Sequence, residues 1–356
     1  MRVPRSGRLS GVPLRSALTA MSALTALTVL TACAGAEPVR NTAAPSAALP
    51  SPSLAPTAPL ATWALTGLPR PDGAVAGPAL SVKVDNAPAA RPQSGLNQAD
   101  LVFECLVEGG LSRFLAVYES QSADQVGPIR SARPVDAALL RALRGGIFAY
   151  SGAATGEIAP VKASSQAVLL SHDLQPGAFF RKAGRSAPQN VYGRTGELRS
   201  GAGSAGDAQP APAPLFAYGP APAGSAPVAA AALVIGGAST SRWTWQGSSW
   251  ARSEQGRPHL LSDGAQITAT NLVVLHVKVT GSGIRDAAGN EDPYVLATGS
   301  GTVEFLRDGA LQRGTWSRPS LADPYVFLGD AGQPMTLAPG RTWVELVPTA
   351  GSATYS

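Results

Sequence analysis

Asp100-Leu-Val-Phe-Glu-Cys-Leu-Val-Glu108, then Gly109-Gly110, then Arg113-Phe-Leu-Ala-Val-Tyr-Glu119, sets the architecture. Successive side chains of a strand point to opposite faces. Leu101, Phe103, Cys105 and Val107 therefore share one face, and Val102, Glu104, Leu106 and Glu108 share the other. The two glycines break the run and a second apolar run follows, which reads as a β-hairpin. Upstream, residues 79–85 (Ala-Leu-Ser-Val-Lys-Val-Asp) read as another strand. Downstream, residues 135–144 follow Pro134, carry Ala, Leu and Arg, and stop at Gly145-Gly146, the start and stop signals of a helix. Residues 147–150 and 167–170 are shorter strand runs. This predicts a mixed α/β region over 63–198.

Further out, residues 231–235, 267–279, 294–298, 301–306 and 343–347 read as strands. Arg307-Asp-Gly-Ala310 supplies Asp-Gly, the signal of a two-residue hairpin turn. The predicted fold class is thus α+β: a mixed α/β N-terminal domain (63–198) followed by a strand-rich C-terminal domain (229–350). Between them, residues 199–228 are rich in Ala, Gly, Pro and Ser and read as a linker or long loop.

The chain has 356 residues, enough for about two domains. Hydrophobic residues make up 44%, which supplies a core and excludes wholesale disorder. Net charge is +5, and removing the four arginines of residues 1–32, which contain no acid, leaves +1. Composition therefore gives no case for a nucleic-acid partner.

Residues 1–32 have the basic start and apolar run (17–30) of a secretory signal. The run is too short for the ~20 residues of a membrane span. Leu30-Thr-Ala-Cys33 resembles a bacterial lipobox, in which the cysteine is acylated and the signal is cut just before it. Cys33 is then the lipid-attachment residue, and residues 33–62, rich in Pro and Ala, form an extended tether. The expected location is extracytoplasmic, with the membrane as partner through the lipid. Cys105, the other cysteine, is left without a disulfide partner.

Residues 81–100 (Ser-Val-Lys-Val-Asp-Asn-Ala-Pro-Ala-Ala-Arg-Pro-Gln-Ser-Gly-Leu-Asn-Gln-Ala-Asp), the 102–114 run and Val126-Gly-Pro-Ile-Arg-Ser-Ala-Arg-Pro134 together resemble the YerB-like bacterial lipoproteins, a family named for a domain of unknown function. Gly314-Thr-Trp-Ser-Arg318 and Pro339-Gly-Arg-Thr-Trp-Val-Glu-Leu-Val-Pro348 resemble that family's second domain. The resemblance implies a two-part envelope lipoprotein and supplies no reaction. Two positions depart from the pattern: Cys105 stands where an acid is common, and Gln189 where histidine is usual.

Several residues are candidates for chemistry. Arg130 and Arg133 flank Ser131 just before the predicted helix. They would suit a ligand carboxylate or phosphate, or an internal carboxylate from Asp85, Glu104 or Glu108. Lys83 and Asp85 face one side of a strand and, with Asn86, could line a polar pocket or form a structural ion pair. Glu104 and Glu108 lie ~13 Å apart along a strand, too far for a glycosidase pair, although a dyad of one glutamate with Asp85 or Asp136 is open. Cys105 reads as a core residue. His172, His259 and His276 form no metal motif. Trp243 and Trp245 share a strand face, for packing or for stacking on sugar rings. Residues 286–292 read as an acidic turn without EF-hand spacing. No complete catalytic set, metal site or cofactor motif emerges. The expectation is a non-catalytic binding or scaffold protein at the membrane–cell wall interface, with a cell-wall protein or peptidoglycan as partner. The rival is an enzyme acting on peptidoglycan or another wall polymer through Asp85, Glu104 and the arginines.

Overall fold

The alternation of the 101–106 run separates two interiors from each other. The computed structural model describes residues 61–221, 224–285, 289 and 291–356. The signal, Cys33, nearly all of the tether, and Asp286 to Ala288 and Asn290 of the acidic turn lie outside these residues. β1 (Leu80–Asp85), β2 (Leu101–Leu106) and β3 (Ser112–Tyr118) lie side by side, with β3 antiparallel to both neighbours. α1 (Val135–Ala142) leads to β4 (Ile147–Tyr150), and α2 (Thr155–Ser164) to β5 (Val168–Ser171). β4 runs parallel to β1, and β5 parallel to β4. Leu101, Phe103 and Cys105 of β2 join Val135, Leu139 and Leu140 of α1 and Ile158 and Val161 of α2 in one core. Val102 joins Leu80, Val82, Val84 and Phe114 in the other.

Residues 199–228 begin inside α3 (Thr195–Gly201) and carry α4 (Gly203–Asp207), where the sequence reading expected a linker or long loop. Buried Leu198 and the Arg199 guanidinium, which donates to the Pro78 and Tyr118 carbonyls (2.6 and 2.9 Å), anchor this segment despite its low-complexity composition.

β6 (Ala230–Gly236), β7 (Ser239–Trp245) and β8 (Trp250–Glu254) form an antiparallel meander, the middle of a second, six-stranded sheet. The 267–279 run, expected as one strand, is divided between the two sheets. Thr268–Ala269 pairs with β8, whereas β9 (Asn271–Val277) belongs to the main sheet. The switch falls at Thr270, where the amides of Thr270 and Asn271 both donate to the Arg341 carbonyl. After Lys278 the chain leaves the main sheet as a hairpin arm, β10 (Val279–Arg285) and β11 (Glu291–Val295), which forms a two-stranded sheet of its own. The expected 294–298 strand is thus shifted toward the N-terminus.

β12 (Gly299–Arg307) and β13 (Ala310–Arg318) pair across Asp308 (φ 52°) and Gly309 (φ 69°). Two residues with positive φ match the twist of the flanking strands, as the Asp-Gly signal predicts. β14 (Val326–Gly329), β15 (Thr342–Pro348) and β16 (Ser352–Tyr355) complete the chain. The main sheet has eleven strands, ordered β14-β13-β12-β9-β15-β2-β3-β1-β4-β5, with the short Ala226–Pro227 strand also pairing β13. β15 lies parallel to β9 on one side and to β2 on the other. One sheet therefore takes strands from both sequence regions.

The layers run second sheet, main sheet, then α1 and α2, while Leu198 of α3 joins the core on the second-sheet side. Ala231, Leu233, Trp243 and Trp250 of the second sheet pack on Leu272, Val274 and Trp343 of the main one. The fold is α+β: a helix-bearing N-terminal region followed by a strand-rich C-terminal one.

Candidate functional site

The nominated side chains gather at the end of β1 and around the start of α1, and most of their charge is used inside the protein. Lys83 is fully buried and its Nζ pairs with Asp136 Oδ1 at 2.7 Å. Burial opposes its charge, but Asp136 and Cys105 more than compensate, so its pKa is raised. Cys105 Sγ lies 3.5 Å from the same Nζ, and burial pushes its thiol pKa up. It is a packed core residue, not an activated nucleophile. Asp136 is committed to Lys83 and to the Arg133 amide (2.8 Å), so it forms no dyad with a glutamate.

Asp85 is nearly buried. Its Oδ2 accepts from Arg130 Nε and Gln189 Nε2, each at 3.3 Å, and its Oδ1 from the Ala87 amide at 3.1 Å. The Gln189 position singled out in the sequence thus shares the Asp85 carboxylate oxygen with Arg130. Asn86 is fully buried. It donates to Ser112 Oγ (2.9 Å) and accepts from Arg91 and Gln93, and lines no open pocket.

Arg133 is held by carboxylates. Its Nε donates to Glu108 Oε2 at 2.9 Å and its Nη2 to Glu108 Oε1; Glu157 and Asp292 stand at 3.3 Å. Arg113 Nη2 adds a 2.7 Å bond to Glu108. Burial alone would raise the Glu108 pKa, but Arg113 and Arg133 hold it down at about 2. For Arg133 the internal-carboxylate alternative is the one realised.

Glu104 points into the interior between the sheets. Ser112 Oγ donates to its Oε1 at 2.5 Å and Arg252 Nη2 to its Oε2 at 2.7 Å. Arg252 is fully buried, packed against the rings of Phe114, Trp243 and Trp343, and also pairs with Glu254 at 2.6 Å. Arg252 Nη1 donates to His259 Nδ1, whose Nε2–H donates to Gln93 Oε1 at 2.8 Å. Burial and two arginines keep that imidazole pKa well below its ordinary value. Burial and the neighbouring Glu104 carboxylate push the Glu345 pKa well above its ordinary value, and Glu345 accepts from Trp243 Nε1 at 2.8 Å. This places Trp243 in the core, against Trp343, while half-buried Trp245 packs against Trp250 with the two rings tilted by 51°. Trp243 is not free for a glycan.

The network reaches solvent in an open cleft of about 710 Å³ lined by Arg91, Glu254 and His259. Arg252, Glu254, His259 and Glu345 were not among the sequence candidates. The available signal was Trp250-Ala-Arg-Ser-Glu254, whose alternate positions put two charges on the same strand face as a tryptophan.

Among the nominated charges, Arg130 differs. Its side chain is 24% exposed, and only its Nε is engaged, with Asp85. Its Nη1 and Nη2, and Ser131 Oγ, donate to none of the described residues. Those residues contain no helix long and apolar enough to cross a membrane, and no group of three or more His, Cys, Asp or Glu side chains arranged to hold a metal ion.

Residues 65–208 match the family model described as "Protein of unknown function (DUF3048) N-terminal domain", and residues 232–344 match its C-terminal counterpart. The chain is similar to the putative lipoprotein YerB of Bacillus subtilis (strain 168), 36% identical over 128 residues, which are 36% of this chain and 38% of that protein. The match therefore spans less than two thirds of that relative. The crystal structure of the YerB protein from Bacillus subtilis is similar in fold, with a TM-score of 0.70 at 24% identity, over 83% of this chain and 99% of that one.

Proposed function

Since the chain belongs to the YerB-like family, whose two domains are described only as of unknown function, we propose that it is a lipid-anchored envelope protein that binds an anionic group of the cell wall and catalyses no reaction. The anchor is Cys33, and the lipobox-like Leu30-Thr-Ala-Cys33 supports it, as does the name of the Bacillus relative. The body then works outside the cytoplasm, at the end of its tether.

The free guanidinium edge of Arg130 carries the binding reading. Lys83, Asp85, Glu104 and Arg133 are spent on internal partners, while Arg130 stays partly exposed beside the unused hydroxyl of Ser131. A planar guanidinium fork suits a carboxylate or phosphate taken through two parallel hydrogen bonds. Asp85, which also accepts from Gln189, fixes its orientation. Glu104, the carboxylate on which the polymer-cleaving alternative depends, is sealed from solvent with both oxygens engaged.

The test uses isolated peptidoglycan as the probe. Arg130→Ala is expected to fold normally and lose retention on it, while Arg133→Ala is expected to lose stability. Undiminished retention by a folded Arg130→Ala protein overturns the binding reading. Absence of palmitate label on the wild type, when compared with Cys33→Ala, overturns the anchor.

A further inference from the structure

The arm formed by β10 and β11 closes over the Arg133 cluster while pairing with no other strand. It is rooted in the core by Val295, and near its far end Ile284 lies against Gly156. A Cβ added to Gly156, in the first turn of α2, would sit 3.0 Å from Ile284 Cδ1. Among the described residues its ion pair with the body is made by Asp292, whose Oδ1 lies 3.3 Å from Arg133 Nε.

Asp292 is the surplus charge of this cluster. Four charged groups face it: Arg133 from the segment before α1, Arg113 from β3, Glu108 from the turn after β2 and Glu157 from α2. On its own arm Glu291 is exposed and accepts from the Gly283 amide. Two guanidinium groups thus meet three carboxylates. Glu108 is held by hydrogen bonds from both arginines, and Glu157 accepts from the Ala154 amide at 2.7 Å. The Asp292 side chain is only 2% exposed, and neither of its oxygens has a hydrogen-bond partner among the described residues. A buried carboxylate with no hydrogen bond is the member of such a set that takes up a proton.

We propose that the arm is a proton-operated clasp, shut over the Arg133 cluster when Asp292 is protonated and loosened when Asp292 is ionised. This goes beyond the binding reading and does not depend on Arg130. Burial, with Glu157 and Glu108 acting against the attraction of Arg133, pushes the Asp292 pKa up to about 6 in the shut state, from an ordinary 3.8. A group with a raised pKa stabilises the state that raises it at low pH, and that contribution fades as pH climbs through the raised value. The window therefore runs from about pH 4 to about pH 6.

Hydrogen exchange on the full chain tests the clasp, with rates corrected for intrinsic pH dependence. Protection of the β10 and β11 amides and of the first turn of α2 is expected to fall about tenfold between pH 5 and pH 7.5. Amides of β9 and β15 serve as the internal reference. Asp292→Asn, which mimics the protonated side chain, is expected to stay protected at both pH values. Wild-type protection of the arm that is unchanged with pH, or an Asp292→Asn protein that loses protection as the wild type does, overturns the proposal.

Discussion

Glu104 and Glu345 are register partners on the adjacent parallel strands β2 and β15, and both are sealed from solvent, at 1% and 0% exposure. Two carboxylates so placed cannot both ionise cheaply. The Arg252 guanidinium pairs with one, Glu104, and burial beside that carboxylate pushes the Glu345 pKa well above its ordinary value.

The first expected outcome concerns pH. Because the folded state raises the Glu345 pKa, its contribution to stability is complete below the ordinary value of 4.5. It is lost as pH rises from there through the folded value. Glu345→Gln keeps a donor toward Glu104 and an acceptor for Trp243 but cannot ionise. Urea unfolding at pH 5 and pH 8 is expected to show a smaller loss across that interval for Glu345→Gln than for the wild type. Equal losses would mean that another group titrates.

Arg252→Met leaves the Glu104 carboxylate buried without its cation and Glu254 with Arg91 alone. Removing one partner of a buried pair costs about 3–5 kcal/mol. Adding Glu104→Gln is expected to restore part of that loss, so the two substitutions combine with less damage than their sum. Denaturant melts of both single variants and the double variant measure the coupling, and strict additivity would refute it.

Lys83 and Asp136 should behave similarly behind α1. Lys83→Met alone is expected to cost about 3–5 kcal/mol, because Asp136 stays buried with a charge. The neutral pair Lys83→Met with Asp136→Asn is expected to recover most of this. Thermal denaturation at neutral pH distinguishes the two. A double variant as unstable as the single one would mean that packing, not charge, sets the loss.

Gly309 sits at φ 69° in the β12–β13 turn, and a Cβ there would lie 2.7 Å from Trp245 Nε1. Gly309→Ala is expected to lower stability by about 1–2 kcal/mol through backbone strain and displacement of the indole. A shift in tryptophan emission should accompany the lower melting temperature.

Local features of the fold were legible in the sequence. The β2–β3 hairpin, the Asp-Gly turn at 308–309 and the helix after Pro134 each depend on residues within a few positions of one another. The pairing of β15 with β2 was not legible, because more than two hundred residues separate Leu101 from Thr342 and both strands read alike as apolar runs. The division of the 267–279 run was hidden for a related reason: Thr270 turns the chain only because Arg341, far along the chain, accepts both amides.

The candidate site was half legible. The 81–133 residues converge, and Asp85 accepts from both Arg130 and Gln189. Glu104 was nominated as a ligand or wall-polymer carboxylate, but its partner Arg252 lies on a strand of the other sheet. Period-two reading assigns a face to a charge without saying which layer covers that face. Asp292 was read as the last residue of an acidic turn, whereas β11 carries it onto Arg133.

The insertion of β15 between β9 and β2 bears on biosynthesis. A chain delivered N-terminus first, from a ribosome or through a translocation pore, can assemble β1 to β5 early, but the flank of β2 stays unpaired until residue 348 has emerged. Until then an apolar strand edge is open to neighbouring chains, a hazard that grows with the time such late closure takes. A transcript truncated before codon 342 would therefore yield an aggregation-prone product rather than a smaller working one.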